Sequence, residues 1–213
     1  MSERSSVVRL SPDAIVEGYI RLADRGGTDV TLRALGAELG VDPTAVYRHF
    51  RDKEELLAAV ADRLLAEVLE GFRRSGDWRR DIRGLVLGAR RVYLGHPHLA
   101  QLLATSPDHL PNNARIAEIV IGALRAAGLP NREAALAFEV LENYTAGASS
   151  LDAEVGADVG EGWRRHLASL PREQFPNTVT LSTYLYRDDE VAFGFGLDLM
   201  LDALQARAAR ARR

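Results

Sequence analysis

The chain contains no cysteine, which rules out disulfide staples, thiolate metal sites and cysteine nucleophiles. Lysine is almost absent as well, since of 27 basic side chains only Lys53 is not arginine. No apolar run approaches the roughly 20 residues that a membrane-spanning helix needs, and the opening MSERSSVVRL lacks the apolar stretch of a signal peptide. No membrane partner is expected, and the cytoplasm is the expected compartment. Catalytic signatures are missing too. There is no phosphate-binding loop, no dinucleotide fingerprint and no Gly-x-Ser-x-Gly elbow. His96-Pro97-His98 is a loose metal-like pair, but its proline marks a helix boundary and no third ligand follows at helical spacing. Glu139 and Glu142 are near neighbours on a helix, the pattern of a solvated face. An enzyme, a metal site and a cofactor are therefore not expected.

What is present is helical periodicity from end to end, without the strict alternation of strands and without an internal repeat. At 213 residues and 46% hydrophobic the chain can bury a substantial core in one domain or two. The most informative stretch is Thr31 to Lys53, TLRALGAELGVDPTAVYRHFRDK. A short helix over Leu32–Leu39 should stop at Gly40, because glycine adopts the left-handed conformation that ends a helix at little cost. Asp42 as N-cap and Pro43 in the first turn then start a second short helix, Thr44 to Phe50. Leu32, Leu35 and Leu39 share one face, and Val46 and Phe50 another. Two short amphipathic helices joined around a glycine match the helix-turn-helix, whose second helix enters the DNA major groove.

A helix before this unit should open at Ser11-Pro12, bury Ile15, Val16, Tyr19, Ile20 and Ala23 behind it, and end at Gly26-Gly27. Residues 1–10, with Arg4 and Arg9, read as a solvated arm. After it, Asp52 with Glu55 three residues on makes a capping-box variant that opens a helix of about five turns through Phe72. That length suits a connector between the N-terminal bundle and the rest of the chain.

Charge alone does not announce a DNA binder. Residues 1–60 hold 8 basic and 10 acidic side chains, a net of −2, so only their distribution can favour nucleic acid. Arg33, Arg48, Arg51 and Lys53 do lie in or beside the motif. Thr44, Ala45 and Arg48 are candidates to read base edges, and Arg48 could instead hold a phosphate. Tyr47 and His49 suit phosphate or sugar contacts, with Thr31, Arg33 and Lys53 gripping backbone to either side. Val46 and Phe50 are assigned to the core.

Thr31, Leu35, Leu39, Gly40, Val41, Tyr47, His49, Phe50, Lys53, Leu56 and Leu57 together resemble the DNA-binding signature of the tetracycline-repressor (TetR) family of bacterial transcription regulators. The run from Thr44 to Leu56, TAVYRHFRDKEEL, carries most of the resemblance. The resemblance implies an all-α fold: an N-terminal three-helix bundle with a helix-turn-helix, residues 1–60, joined by a long helix to a larger helical ligand-binding and dimerisation domain, residues 61–213. It further implies a repressor that binds a palindromic double-stranded DNA operator as a homodimer and is released by a small-molecule effector. Its two recognition helices would sit in successive major grooves roughly 34–36 Å apart. The competing reading, prompted by the acidic balance of residues 1–60, is a helical small-molecule-binding or scaffold protein that does not use DNA.

In the second domain, a helix carrying Trp78, Ile82, Leu85, Val86 and Tyr93 should follow Asp77 and stop near Gly95. Shorter helices follow over 99–104 and between the loop bracketed by Pro107 and Pro111 and Gly128. Asn131 should cap a long helix through Ala148, a short helix is expected near Trp163–Leu170, and a last one over Asp189–Ala206, with Arg210, Arg212 and Arg213 in a frayed tail. Tyr93, His98, Leu102, Ile119, Phe138, Glu142 and Tyr144 are the candidates for a mostly apolar ligand pocket. The last helix is apolar nearly all round, which means burial on more than one side. Gly147, Phe193, Phe195, Gly196, Leu199 and Met200 are the candidates for a twofold interface, with Gly194 and Gly196 allowing close approach of another helix. Phe193-Gly-Phe-Gly-Leu-Asp, His96-Pro97 and Leu102-Leu103 also resemble the C-terminal domain of the tetracycline-repressor-like subgroup. The His, Asn and Gln set with magnesium that holds tetracycline in that subgroup is not matched here, so tetracycline is not the implied effector.

Overall fold

The computed structural model describes residues 10–26, 30–106, 109–155, 157–186 and 189–212, and among them there are helices and no strand. Arg4, Arg9, Gly27, Pro107 and Arg213 lie outside the described residues.

The N-terminal bundle is set by local caps. Helix α1, Pro12–Gly26, opens with Ser11 Oγ accepting from Ala14 N at 3.1 Å. Helix α2, Leu32–Leu39, begins where Thr31 Oγ1 accepts from Ala34 N and ends at Gly40, whose φ of 66° and ψ of 32° are left-handed. Asp42 then caps the next turn by accepting from Thr44 N. That turn is a 3-10 helix over Pro43–Arg48, not the α-helix to Phe50 that the sequence suggests. Ala45 N donates to Asp42 O and His49 N to Val46 O, both three residues back. Ile15, Tyr19, Ile20, Leu35, Val46, Phe50, Leu56 and Val60 close the core of this bundle.

Helix α3, Lys53–Glu70, has Asp52 accepting from Glu55 N. Glu55 reaches back one residue further than in a strict capping box and accepts from Arg51 N at 2.6 Å. The helix continues out of the bundle and packs on α4, Trp78–Gly95, which Asp77 caps through Arg80 N. A 3-10 turn, Pro97–Leu99, leads into the short α5, Ala100–Ala104. Helix α6 is Pro111–Ala126 and α7 is Asn131–Val155. Asn131 is the first residue of α7 rather than its cap, and Ala134 N donates to Pro130 O. Helix α8, Ala157–Ala168, and the small α9, Pro176–Leu181, pack on each other, and α10 is Asp189–Ala211. Helix α10 runs past Ala206 because its Ala- and Arg-rich end has high helix propensity. Ala208 is buried there and Arg212 donates to Ala127 O.

Helix α4 is the axle of the larger part, packed against α3, α6 and α7. One side of it is tied to α10 by an antiparallel ladder of ion pairs, Arg79–Asp202, Arg83–Asp198 and Arg90–Glu190. Arg90 is only 2% exposed and also pairs with Asp152 of α7 at 2.8 Å. Its guanidinium lies 4.3 Å from the Phe193 ring centroid. A buried charge is tolerated only when paired in this way. No helix among the described residues is long and apolar enough to cross a membrane.

Candidate functional site

Two regions stand out: the exposed side of the helix-turn-helix and a cavity in the α3–α7 body. On the first, Thr31, Arg33, Thr44, Tyr47, Arg48, His49 and Lys53 are exposed and Ala45 is half-buried, whereas Val46 and Phe50 are buried. Tyr47 shows 51% of its surface, which excludes a core role for it. With three residues per turn, successive side chains of the 3-10 helix step by about 120° and spread round its outer side. Thr44 carries a constraint that the sequence does not reveal. Its hydroxyl donates to Asp42 Oδ1 at 2.5 Å, so only its lone pairs and methyl face outward. The Thr44 hydroxyl and amide, with a contribution from the Arg48 charge, hold the Asp42 carboxyl below its ordinary range against a small opposing effect of burial.

Several acids of this region are held by partners. Glu38 binds Arg21 and Arg25, Glu17 binds Arg63, Glu55 binds Arg51, and Asp24 binds His96. Asp42 and Asp52 are spent as caps. Among the described residues Arg33, Arg48 and Lys53 make no ion pair, and all three are exposed. Arg51, expected beside them, is instead held by Glu55 at 3.2 Å.

The second region is a cavity of about 240 Å³ between α3, α4, α5, α6 and α7. Tyr93, Phe138 and Glu142 of the expected set line it. The other four lie elsewhere. His98 sits exposed on the Pro97–Leu99 turn, whose buried member is Leu99. Leu102 and Ile119 pack against the core from half-buried positions, while their neighbours Leu103, Ile116 and Val120 face the cavity. Tyr144 points to α10: its hydroxyl donates to Phe193 O at 2.7 Å and its ring stacks on Phe193 at 4.9 Å between centroids. Sequence reasoning missed Leu65, Asn113, Asn143 and Thr145 as lining residues. The stripe Leu85, Val86, Ala89, Tyr93 on α4 was the available signal, because these positions share one helical face. Burial, and secondarily the Glu142 charge, push the Tyr93 hydroxyl up to about 12, so it remains a neutral phenol. Among the described residues no three His, Cys, Asp or Glu side chains come together as metal ligands. Both His96 nitrogens face carboxylates, Asp24 and Glu67.

The α7–α10 surface corrects part of the expected interface. Phe193 is 3% exposed and belongs to the protomer's own core, between Arg90 and Tyr144. Gly196 serves the same packing, since a Cβ there would lie 2.9 Å from Tyr144 Cζ. Gly147, Phe195 and Leu199 are exposed and Met200 half-buried. Leu136, Val140 and Leu151 on α7 and Val191 on α10 are exposed beside them.

Residues 15–60 match the family described as bacterial regulatory proteins, tetR family, and residues 72–208 match the tetracyclin repressor-like, C-terminal domain. The HTH-type transcriptional repressor DrrR1 of Streptomyces coeruleorubidus is 28% identical over 95% of this chain and 80% of its own length. Apo ActR of Streptomyces coelicolor superposes with a TM-score of 0.84 at 27% identity, covering 95% of this chain and 98% of that one. ActR in complex with actinorhodin superposes with a TM-score of 0.82 at 27% identity, over 93% and 97% of the two chains.

Proposed function

Because the chain belongs to the TetR family of bacterial regulatory proteins, we propose that it is a cytoplasmic, ligand-responsive transcriptional repressor and not an enzyme. In this reading residues 1–60 bind DNA and residues 61–213 bind the effector and dimerise. The observation that carries it is the segregation of charge in the helix-turn-helix. Several of its acids are held in ion pairs or as helix caps, while Arg33, Arg48 and Lys53 stand exposed beside Tyr47 and His49. A homodimer places two such surfaces on the half-sites of a palindromic operator. The exposed apolar stripes of α7 and α10 are the self-complementary surface for the twofold contact. The effector enters the cavity, a reading supported by the actinorhodin complex of ActR, a chain of this fold.

The route from cavity to DNA is short. Leu65 lines the cavity and lies on α3, which begins at Lys53 beside the recognition turn. Asp62 of the same helix accepts from Asn112 N and Nδ2, tying the first turn of α6 to it at 2.8 and 2.9 Å. A ligand that wedges α6 and α4 apart from α3 favours one placement of the heads over another, and acts only through its differential affinity for the two. The test is binding of the purified dimer to DNA flanking its own gene at low and moderate salt. Tight, sequence-selective binding that falls steeply with salt is expected. A folded, ligand-free dimer that ignores duplex DNA at low salt would return the chain to the scaffold reading.

A further inference from the structure

We propose that a cleft between the end of α3 and α4 binds organic diphosphates, at a site separate from the operator surface and from the α3–α7 cavity. The cleft measures about 310 Å³, and Arg73, Arg80 and Arg91 line it together with Phe72, Gly84 and Leu87. Arg80, Gly84, Leu87 and Arg91 recur at helical spacing, so they share one face of α4. About a quarter turn round the same helix, Arg79, Arg83 and Arg90 each meet a carboxylate of α10, from Asp202, Asp198 and Glu190. Among the described residues Arg80 and Arg91 meet none. One face of α4 is thus matched in charge and the other is not.

The acids nearby are already taken. Asp81, the one carboxylate in the described wall, is buried, and its Oδ1 accepts from Ser75 N at 2.7 Å and Ser75 Oγ at 2.6 Å, with the Arg74 charge nearby. Glu70, at the end of α3, pairs with Arg63. Arg73 is held in place, its Nη1 donating to Glu70 O at 3.2 Å and Phe72 O at 2.8 Å, which leaves its other N–H groups for a ligand. Gly84 keeps the floor of the cleft open. Glycine weakens a helix interior, and packing does not demand one here, because a Cβ would meet only Phe72 Cδ2 at 4.0 Å. Guanidinium forks pair with phosphate oxygens two at a time. Arg80 and Arg91 stand about three turns, or roughly 16 Å, apart along α4, so their side chains converge on an extended anion rather than a compact one. Phe72 and Leu87 offer a wall to its organic part. Helix α3 is 18 residues long, which puts the cleft about 27 Å along it from Lys53 and the recognition turn.

The test titrates orthophosphate, pyrophosphate, ADP and geranyl diphosphate calorimetrically into the full-length protein at neutral pH. Pyrophosphate is expected to bind with a Kd below about 1 mM, at least about tenfold tighter than orthophosphate. ADP and geranyl diphosphate should bind at least as well as pyrophosphate, and the tighter of the two identifies the organic part as nucleoside or lipid. Arg80 and Arg91 are exposed, so the double variant Arg80→Gln with Arg91→Gln should fold normally and lose about tenfold or more in affinity. Gly84→Leu keeps every charge, favours the helix and fills the cleft, and should lose as much. Lys53→Ala should bind all four as wild type does. Pyrophosphate that binds no better than orthophosphate, or not at all at about 1 mM, overturns the proposal. So does affinity that survives both cleft variants, or that is lost in Lys53→Ala, which would place the anions on the operator surface. Calorimetry needs no DNA, so a failure here leaves the repressor reading standing, and absent operator binding leaves this site standing.

Discussion

His96 Nδ1 lies 3.0 Å from both carboxylate oxygens of Asp24, and its Nε2 lies 3.5 Å from Glu67. One imidazole, at the C-cap of α4, thus bridges α1 of the DNA-binding bundle and α3 of the connector. The cavity-lining α4 is linked to the head by this bridge as well as by α3 itself. His96→Ala should leave effector affinity near wild type but reduce its ability to release DNA, lowering the coupling free energy by roughly 0.5–2 kcal/mol. Operator titrations with and without effector measure it. Full release by the variant would show that α3 alone carries the signal.

Operator contacts separate by what they read. Lys53→Ala and Arg33→Ala should weaken operator and random duplex alike, each lowering the salt slope by about one. Arg48→Ala should cost about 1–3 kcal/mol of discrimination at one base pair. An Arg48→Ala protein with unchanged sequence preference would assign that arginine to a phosphate instead.

Gly36 holds the helix-turn-helix closed. A Cβ there would lie 2.9 Å from Val41 O, 3.0 Å from Pro43 N and 3.1 Å from Pro43 Cα, backbone atoms that cannot step aside. Gly36→Ala should cost about 1–3 kcal/mol and displace the 3-10 turn, so operator binding falls even in the folded fraction. Gly40→Ala meets nothing within 4 Å and is penalised only by its φ of 66°, about 1–2 kcal/mol. Its folded fraction should bind operator nearly normally. Thermal unfolding and DNA titration of both variants distinguish the two causes.

These cases also show what was legible in the sequence. Caps are local, so Gly40, Asp42, Asp52 and Asp77 marked helix ends that the structure keeps within a residue or two. The all-helical class and the burial of Val46 and Phe50 followed from periodicity in the same way. The use of α10 did not. A helix apolar nearly all round does not say which side meets its own chain, so Phe193 and Gly196 were placed outside when they pack on Arg90 and Tyr144. Arg90 reads as an ordinary surface residue until Asp152 and Glu190, far along the chain, are brought to it. The net charge of residues 1–60 likewise does not say which acids are paired, because pairing is a tertiary fact.

Acid stability tests a local contact at the start of α4. Burial alone would raise the Asp81 carboxyl, but the Ser75 hydroxyl and amide, the Gly76 amide and the Arg74 charge outweigh it and leave it below its ordinary range. A carboxyl depressed in the folded state contributes stability that is present above its unfolded value, about 3.9, and lost as pH falls through the folded one. Ser75→Ala removes the hydroxyl that donates to Asp81 Oδ1 at 2.6 Å. The expected result is a loss of about 1–2 kcal/mol at neutral pH and acid unfolding that begins at higher pH. An acid-unfolding profile identical to wild type would mean the amide donors suffice.

The dimer is tested where the apolar stripes are exposed in the protomer. Phe195 is 65% and Leu199 54% exposed, so neither contributes much to the protomer's own core. Phe195→Glu and Leu199→Glu should therefore leave helicity and thermal unfolding of the monomer close to wild type while placing a charge in a desolvated twofold contact. Each is expected to weaken self-association by about 2 kcal/mol or more, roughly thirtyfold, because the twofold axis counts the substitution twice. Sedimentation equilibrium reads the shift from dimer to monomer. Operator affinity should fall with it, since one head alone holds only one half-site. Phe193→Ala makes the contrasting case: it removes a buried ring that stacks on Tyr144 and lies under Arg90, so it should unfold the protomer at lower temperature rather than dissociate it. If Phe195→Glu remained dimeric at micromolar concentration, the α7–α10 stripes would not be the twofold surface.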